Sequence, residues 1–205
     1  MRGEKWIVLI IIIFVVIMVI YVLCNVKVCP KVDRPVVPFS TIKDKMKTGD
    51  VLCTMGCNLL KGTVMRNYLG CICTHVALIV KKPSKGHGTP DQLYVLELGP
   101  YGSFPFRKSD VKFRPLDQVL KESCNDLFGW YPIKKEIELT EDDIKHYHKY
   151  CFNYFFPTMF SPYKKYKVCS SFVAKIHEDK GLGKNSHIIS PCDFYNSERT
   201  IIFSR

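Results

Sequence analysis

Three residues in this chain have the types and settings that nucleophilic catalysis needs: Cys169, His75 and Glu97. A thiol becomes a strong nucleophile when a base takes its proton and a third group holds that base in the right tautomer. His75 stands near the start of the apolar run Thr74-His75-Val76-Ala77-Leu78-Ile79-Val80, and Glu97 near the end of the run Leu93–Leu98. Cys169 opens a segment that reads as a helix over Cys169–Lys180, closed by Gly181. At a helix N-terminus the dipole and the unsatisfied N–H groups both favour a thiolate. A carboxylate within an apolar strand is costly unless something pairs with it. Each residue also has a plainer reading. Cys169 is one of ten cysteines, and a free cysteine can be a small buried hydrophobe, just as a lone histidine on an apolar strand can be structural. The case rests on the three together.

The elements that must position them follow from patterning. Thr48-Gly49-Asp50 reads as a turn leading into a strand, Val51–Cys53, while residues 57–70 fit either a loop or a short helix. The strands Thr74–Val80 and Leu93–Leu98 flank one loop rich in Pro and Gly, so they pair most simply as an antiparallel hairpin. The start of the first then lies beside the end of the second, which makes His75 and Glu97 neighbours. A strand is expected at Val111–Pro115, a helix around Leu116–Glu122, and a strand over Trp130–Ile137. Thr140 followed by Glu141, Asp142 and Asp143 is a capped, acidic helix start, and that helix is expected to run to about Phe155. Ser190-Pro191-Cys192-Asp193 opens a last short segment, and Thr200–Phe203 a terminal strand. Strands and helices mix without regular alternation, which points to an α+β fold.

Several of these segments, in this order, resemble motifs of the circularly permuted papain-like hydrolases, a group related to NlpC-type peptidases and lecithin:retinol acyltransferase-like enzymes and found in bacteria, poxviruses and other large DNA viruses. Thr48-Gly49-Asp50-Val51-Leu52 is similar to the opening Gly-Asp strand, Thr74–Val80 to the histidine strand and Val95-Leu96-Glu97 to the acidic strand. Cys169-Ser170-Ser171-Phe172-Val173 is similar to the cysteine helix, and Ser190-Pro191-Cys192-Asp193-Phe194 to the Ser/Thr-Pro-x-Asp-Leu close. The order histidine, acid, cysteine is that of the permuted members. The resemblance spans roughly residues 48–195 and implies an antiparallel sheet packed against helices. It implies Cys169 as nucleophile, His75 as general base and Glu97 as the orienting residue, with no cofactor. Many relatives carry a Glu two places after the cysteine, where this chain has Ser171. The activity implied is acyl transfer through a thioester, from a lipid ester or amide or a peptide amide. The other reading is a membrane-tethered binding or structural protein, such as a virion component, built on the same fold without catalysis.

Outside that region, Trp6–Cys24 carries no charge and ends in aromatic residues, Trp6 and Tyr21. At about 1.5 Å per residue it matches a ~30 Å hydrocarbon core, and the aromatics suit its interfaces. A cleaved signal peptide fits less well, because the apolar run is long and no small-x-small site follows. The expected organisation is a flank over 1–5, an anchor over 6–24, a linker over 25–38 punctuated by Pro30, Pro35 and Pro38, and one domain over 39–205. Basic residues on both sides of the anchor leave only a slight lean toward a cytoplasmic domain. The net charge of +11 suits anionic surfaces, and a tethered protein meets lipid headgroups before nucleic acid. Cys53, Cys57, Cys71, Cys73 and His75 raise a zinc alternative, but Cys71-x-Cys73 is tight for two ligands of one tetrahedral ion; no metal is expected. Disulfides are open if the domain meets an oxidising compartment. His146 and His148 read as a solvated helix face, and His87 and His177 carry no assigned role. The aromatic run 150–166 suits core packing or an apolar wall for an acyl chain.

Overall fold

In the computed structural model the described residues are 2–25, 31–56, 66–67, 70–82, 91–101, 107–148, 152–154, 169–182, 190–195 and 198–205. Helix α1 (Arg2–Asn25) is followed by β1 (Val36–Pro38), α2 (Phe39–Ile42), a single 3-10 turn and β2 (Val51–Thr54). Then come β3 (His75–Lys82), β4 (Gln92–Tyr101), β5 (Arg107–Pro115), α3 (Leu116–Glu122) and β6 (Leu127–Tyr131). The chain closes with α4 (Glu141–His148), β7 (Phe152–Tyr154), α5 (Cys169–Asp179), α6 (Pro191–Tyr195) and β8 (Ile201–Ser204). Among the described residues the strands form one eight-stranded sheet in the order β1-β8-β6-β2-β3-β4-β5-β7. Each neighbouring pair is antiparallel except β1 with β8. The fold is α+β.

The central strands read as continuous apolar runs because both of their faces are covered. On one face Val51, Cys53, Val76, Leu78, Val80, Leu96 and Leu98 pack with Phe172, Val173 and Ile176 of α5 and with Phe194 of α6. On the other, Leu52, Ala77, Ile79, Leu93 and Val95 pack with Leu116, Val119 and Leu120 of α3 and with Phe128, Trp130 and Phe203. Residues alternate between the two layers along each strand, as the period of two requires.

Three expectations need correction. The strand expected over Trp130–Ile137 is shorter and earlier, Leu127–Tyr131; beyond it Ile133 and Ile137 serve as loop residues packed over the Gly49 turn. The helix capped by Thr140 ends by His148, and residues 152–154 form a strand paired with β5. The linker reaches the sheet, since Val36–Pro38 is its edge strand β1, and Arg34 donates to the carbonyls of Tyr195 and Thr200.

Helix α1 is continuous over 24 residues. The side chains described along it run from residue 6 to residue 22, and among the described residues no helix is long and apolar enough to cross a membrane. Every side chain of that stretch, Trp6 to Val22, is at least 45% exposed.

Among the described residues a disulfide joins Cys71 to Cys192, 121 residues away, and Cys124 is disulfide-bonded as well. The Cys71–Cys192 bridge ties the segment before β3 to α6. A closed loop of that length restricts the unfolded chain strongly. Replacing both residues with Ser is expected to cost about 4–5 kcal/mol, read as a lower denaturation midpoint under non-reducing conditions. Equal midpoints would show that the bridge adds nothing. The bridge also takes Cys71 out of the zinc alternative.

Candidate active site

Cys169, His75 and Glu97 come together. His75 begins β3, and β3 pairs with β4 so that Leu78 stands level with Leu96, a register that, carried one residue further, sets Ala77 opposite Glu97. His75 and Glu97 are therefore diagonal neighbours on one face, within reach for long side chains. The His75 Nε2 lies 3.0 Å from Glu97 Oε2, which leaves Nδ1 for the thiol. Cys169 opens α5 beside His75, close enough for the two groups to shift each other's protonation. By strand parity His75 and Glu97 belong to the α3 side of the sheet, whereas Cys169 packs against the core on the α5 side. The imidazole thus stands at the end of the sheet between the two layers, a quarter exposed, with the carboxylate buried behind it.

The electrostatics follow from these contacts. Burial alone would push the His75 imidazole down; the charge and hydrogen bond of Cys169, then those of Glu97, override it and carry it up to about 10. Burial would raise the Cys169 thiol, but the charge and hydrogen bond of His75 and the backbone N–H groups of Val76 and Ser170 bring it below its ordinary value. Burial would likewise raise Glu97; the hydrogen bond and charge of His75, then Arg114, hold it at about 2. The two shifts run in opposite directions, and both favour a thiolate beside an imidazolium.

Two supports had no role in the sequence reading. The first is Arg114 of β5, whose Nε and Nη2 donate to Glu97 Oε1 at 3.0 and 2.7 Å while Nη1 donates to Glu122 Oε2 at 2.6 Å. An arginine in a strand beside lysines reads as a surface residue, so nothing marked it. The second is the Gly49-Asp50 turn, which moors the cysteine helix. His177 of α5, 3% exposed, donates from Nε2 to the Gly49 carbonyl at 2.8 Å. Burial pushes the His177 imidazole down, so it stays neutral. Gly49 has φ +104°, and a Cβ there would stand 2.4 Å from Ile133 Cδ1, so the turn accepts only glycine.

Cys53 and Cys73 are buried thiols; burial first, then the neighbouring Cys53, pushes Cys73 up, which makes it a poor nucleophile. His146 is exposed and packs edge-on to Tyr147. Cys57, His87 and most of the run 150–166 lie outside the described residues. A shallow groove of about 440 Å³, lined by residues such as Lys135, Glu138 and Lys180, lies beyond the far end of α5 from Cys169.

No protein-family model and no curated protein sequence matches the chain. Among solved structures, the metalloprotein YiiX from Escherichia coli O157:H7 superposes with a TM-score of 0.49 at 13% identity, over 78% of this chain and 97% of that one. A likeness at this level supports nothing further about the chain.

Proposed function

We propose that this chain is a membrane-tethered cysteine hydrolase or acyltransferase of the permuted papain-like kind, acting through Cys169, His75 and Glu97. The observation that carries the reading is the His75 imidazole, bonded to the buried Glu97 carboxylate on one side and coupled to the Cys169 thiol on the other. The Cys169 thiolate attacks an ester or amide carbonyl, and the tetrahedral intermediate collapses to a thioester as the His75 imidazolium gives its proton to the departing alcohol or amine. Water or another acceptor then attacks the thioester. His75 takes the acceptor's proton, and the thiolate leaves. A lipid ester or amide is favoured over a peptide amide. The +11 charge draws the domain to anionic headgroups, and the apolar side chains of α1, exposed along residues 6–22, suit a hydrocarbon surrounding.

The Cys71–Cys192 bridge favours an oxidising side of that membrane for the domain, against the slight cytoplasmic lean of the flanking charges. The full-length chain, treated with a thiol-directed acyl probe alongside Cys169→Ala, tests the nucleophile. Labelling is expected at Cys169 and lost in the variant. Equal labelling of the two proteins would remove Cys169 from the reaction and leave the non-catalytic reading.

A further inference from the structure

We infer that Arg114 is a positioning residue that makes a carboxylate, rather than an amide, obligatory at position 97. The inference rests on the catalytic reading of Cys169 and His75 above. Glu97 Oε1 receives two N–H groups of the Arg114 fork, and Glu97 Oε2 receives His75 Nε2–H. Both oxygens must therefore accept. A glutamine offers one acceptor oxygen and one NH2 donor. Whichever way it turns, it sets donor against donor, toward Arg114 or toward His75.

Arg114 cannot give up a proton, and His75 can. The conflict therefore falls on the imidazole. In Glu97→Gln the amide keeps its oxygen on the fork and turns its NH2 to His75 Nε2. That nitrogen must then present its lone pair, which moves the ring proton to Nδ1. A proton on Nδ1 occupies the position that should take the one from Cys169. This is the wrong tautomer for a base. Without the fork, the same amide is free to turn its oxygen to His75 Nε2–H, and the proper tautomer returns.

The other charged groups around Glu97 set the scale. Lys112 stands level with it on β5, Glu122 of α3 binds the outer arm of Arg114, and Cys169 lies beyond His75. With its acid braced and neutralised by Arg114, position 97 acts on His75 as an oriented acceptor more than as a bare negative charge.

The test is a pair of variants with opposite signs. Alkylation of Cys169 by iodoacetamide is followed against pH on the full-length chain in detergent, with the site read by peptide mass spectrometry. Glu97→Gln is expected to slow the reaction at pH 7 by about tenfold, within the coupling seen for side chains in one network. Adding Arg114→Met to Glu97→Gln is expected to restore about threefold or more of that loss, and Arg114→Met alone to have a smaller effect than Glu97→Gln. All four proteins should converge well above the ordinary thiol pKa, where the thiolate forms without help. If Glu97→Gln does not fold, the rescue is read as recovery of a cooperative thermal transition in the double variant.

A double variant no better than Glu97→Gln overturns the inference, provided that the parent alkylates at low pH. A parent whose Cys169 titrates like an ordinary thiol overturns the catalytic reading first.

Discussion

With His75 replaced by Ala, the pH midpoint for alkylation of Cys169 is expected to move from below the ordinary thiol value to above it. The direction follows from what surrounds the sulfur. Burial opposes the thiolate, and the charge and hydrogen bond of His75 are the leading effects that overcome it. Once they are removed, burial prevails over the N–H groups of Val76 and Ser170. A thiol titrating at or above about 8.5 holds no more than about 3% thiolate at pH 7. Even after allowance for the greater intrinsic reactivity of a less acidic thiolate, the rate at pH 7 should fall by about tenfold. Acyl transfer should fall further, by about 10²–10⁴-fold, because the general base and acid is lost as well.

In the parent protein acyl transfer should be bell-shaped. It rises as the thiolate forms below the ordinary thiol value and falls as the imidazolium loses its proton near pH 10. The sign on stability follows separately for each group. The raised imidazole stabilises the fold fully below its unfolded value and loses that contribution as pH climbs through about 10. Glu97, held at about 2, contributes above its unfolded value of 4.5 and loses its contribution as pH falls through about 2. An alkylation midpoint that does not move in the His75 variant would leave the thiol's activation to the helix end alone.

The strands that carry this chemistry were legible because their apolar runs are long and bounded by Gly and Pro. His75 and Glu97 could be set side by side from the single loop between them, and the register agrees. The helix starts were legible where a hydroxyl or an acid caps them: Thr140 Oγ1 accepts the Asp143 N–H, and Asp193 accepts from the Ser190 N–H. What patterning could not supply was long-range pairing of polar groups. Arg114 lies 17 residues from Glu97, and His177 lies 128 from Gly49. Neither sits in a run whose period announces a partner. The strand expected to reach Ile137 failed for a related reason. Ile133 and Ile137 are apolar because they close over a turn, not because they alternate in a sheet.

Loss of Asp50 should damage the fold, and the expected effect depends on pH in an unusual direction. Its carboxylate is fully buried; Oδ2 accepts the Lys47 N–H at 3.0 Å and Trp130 Nε1–H at 2.8 Å, and Oδ1 accepts the Ile133 N–H at 2.9 Å. Those bonds hold together the start of β2, the end of β6 and the loop behind it, the frame on which Gly49 receives His177 of the cysteine helix. Asp50→Ala strands three donors, and each unsatisfied buried group costs about 1–3 kcal/mol. Against that, the variant no longer buries a charge, and burial is the chief reason the Asp50 carboxyl is raised above its usual value. A net loss of about 3 kcal/mol at pH 7 is expected from these opposed effects, measured as a drop in the denaturant midpoint at unchanged slope. Because the folded pKa is raised, proton uptake favours the native parent as pH falls through that value. The gap between parent and Asp50→Ala should therefore widen on going from pH 7 to about pH 4, the reverse of the trend for Glu97. A gap that narrows over that interval would mean that Asp50 is held as a stabilised carboxylate, and that hydrogen bonds outweigh burial at this turn.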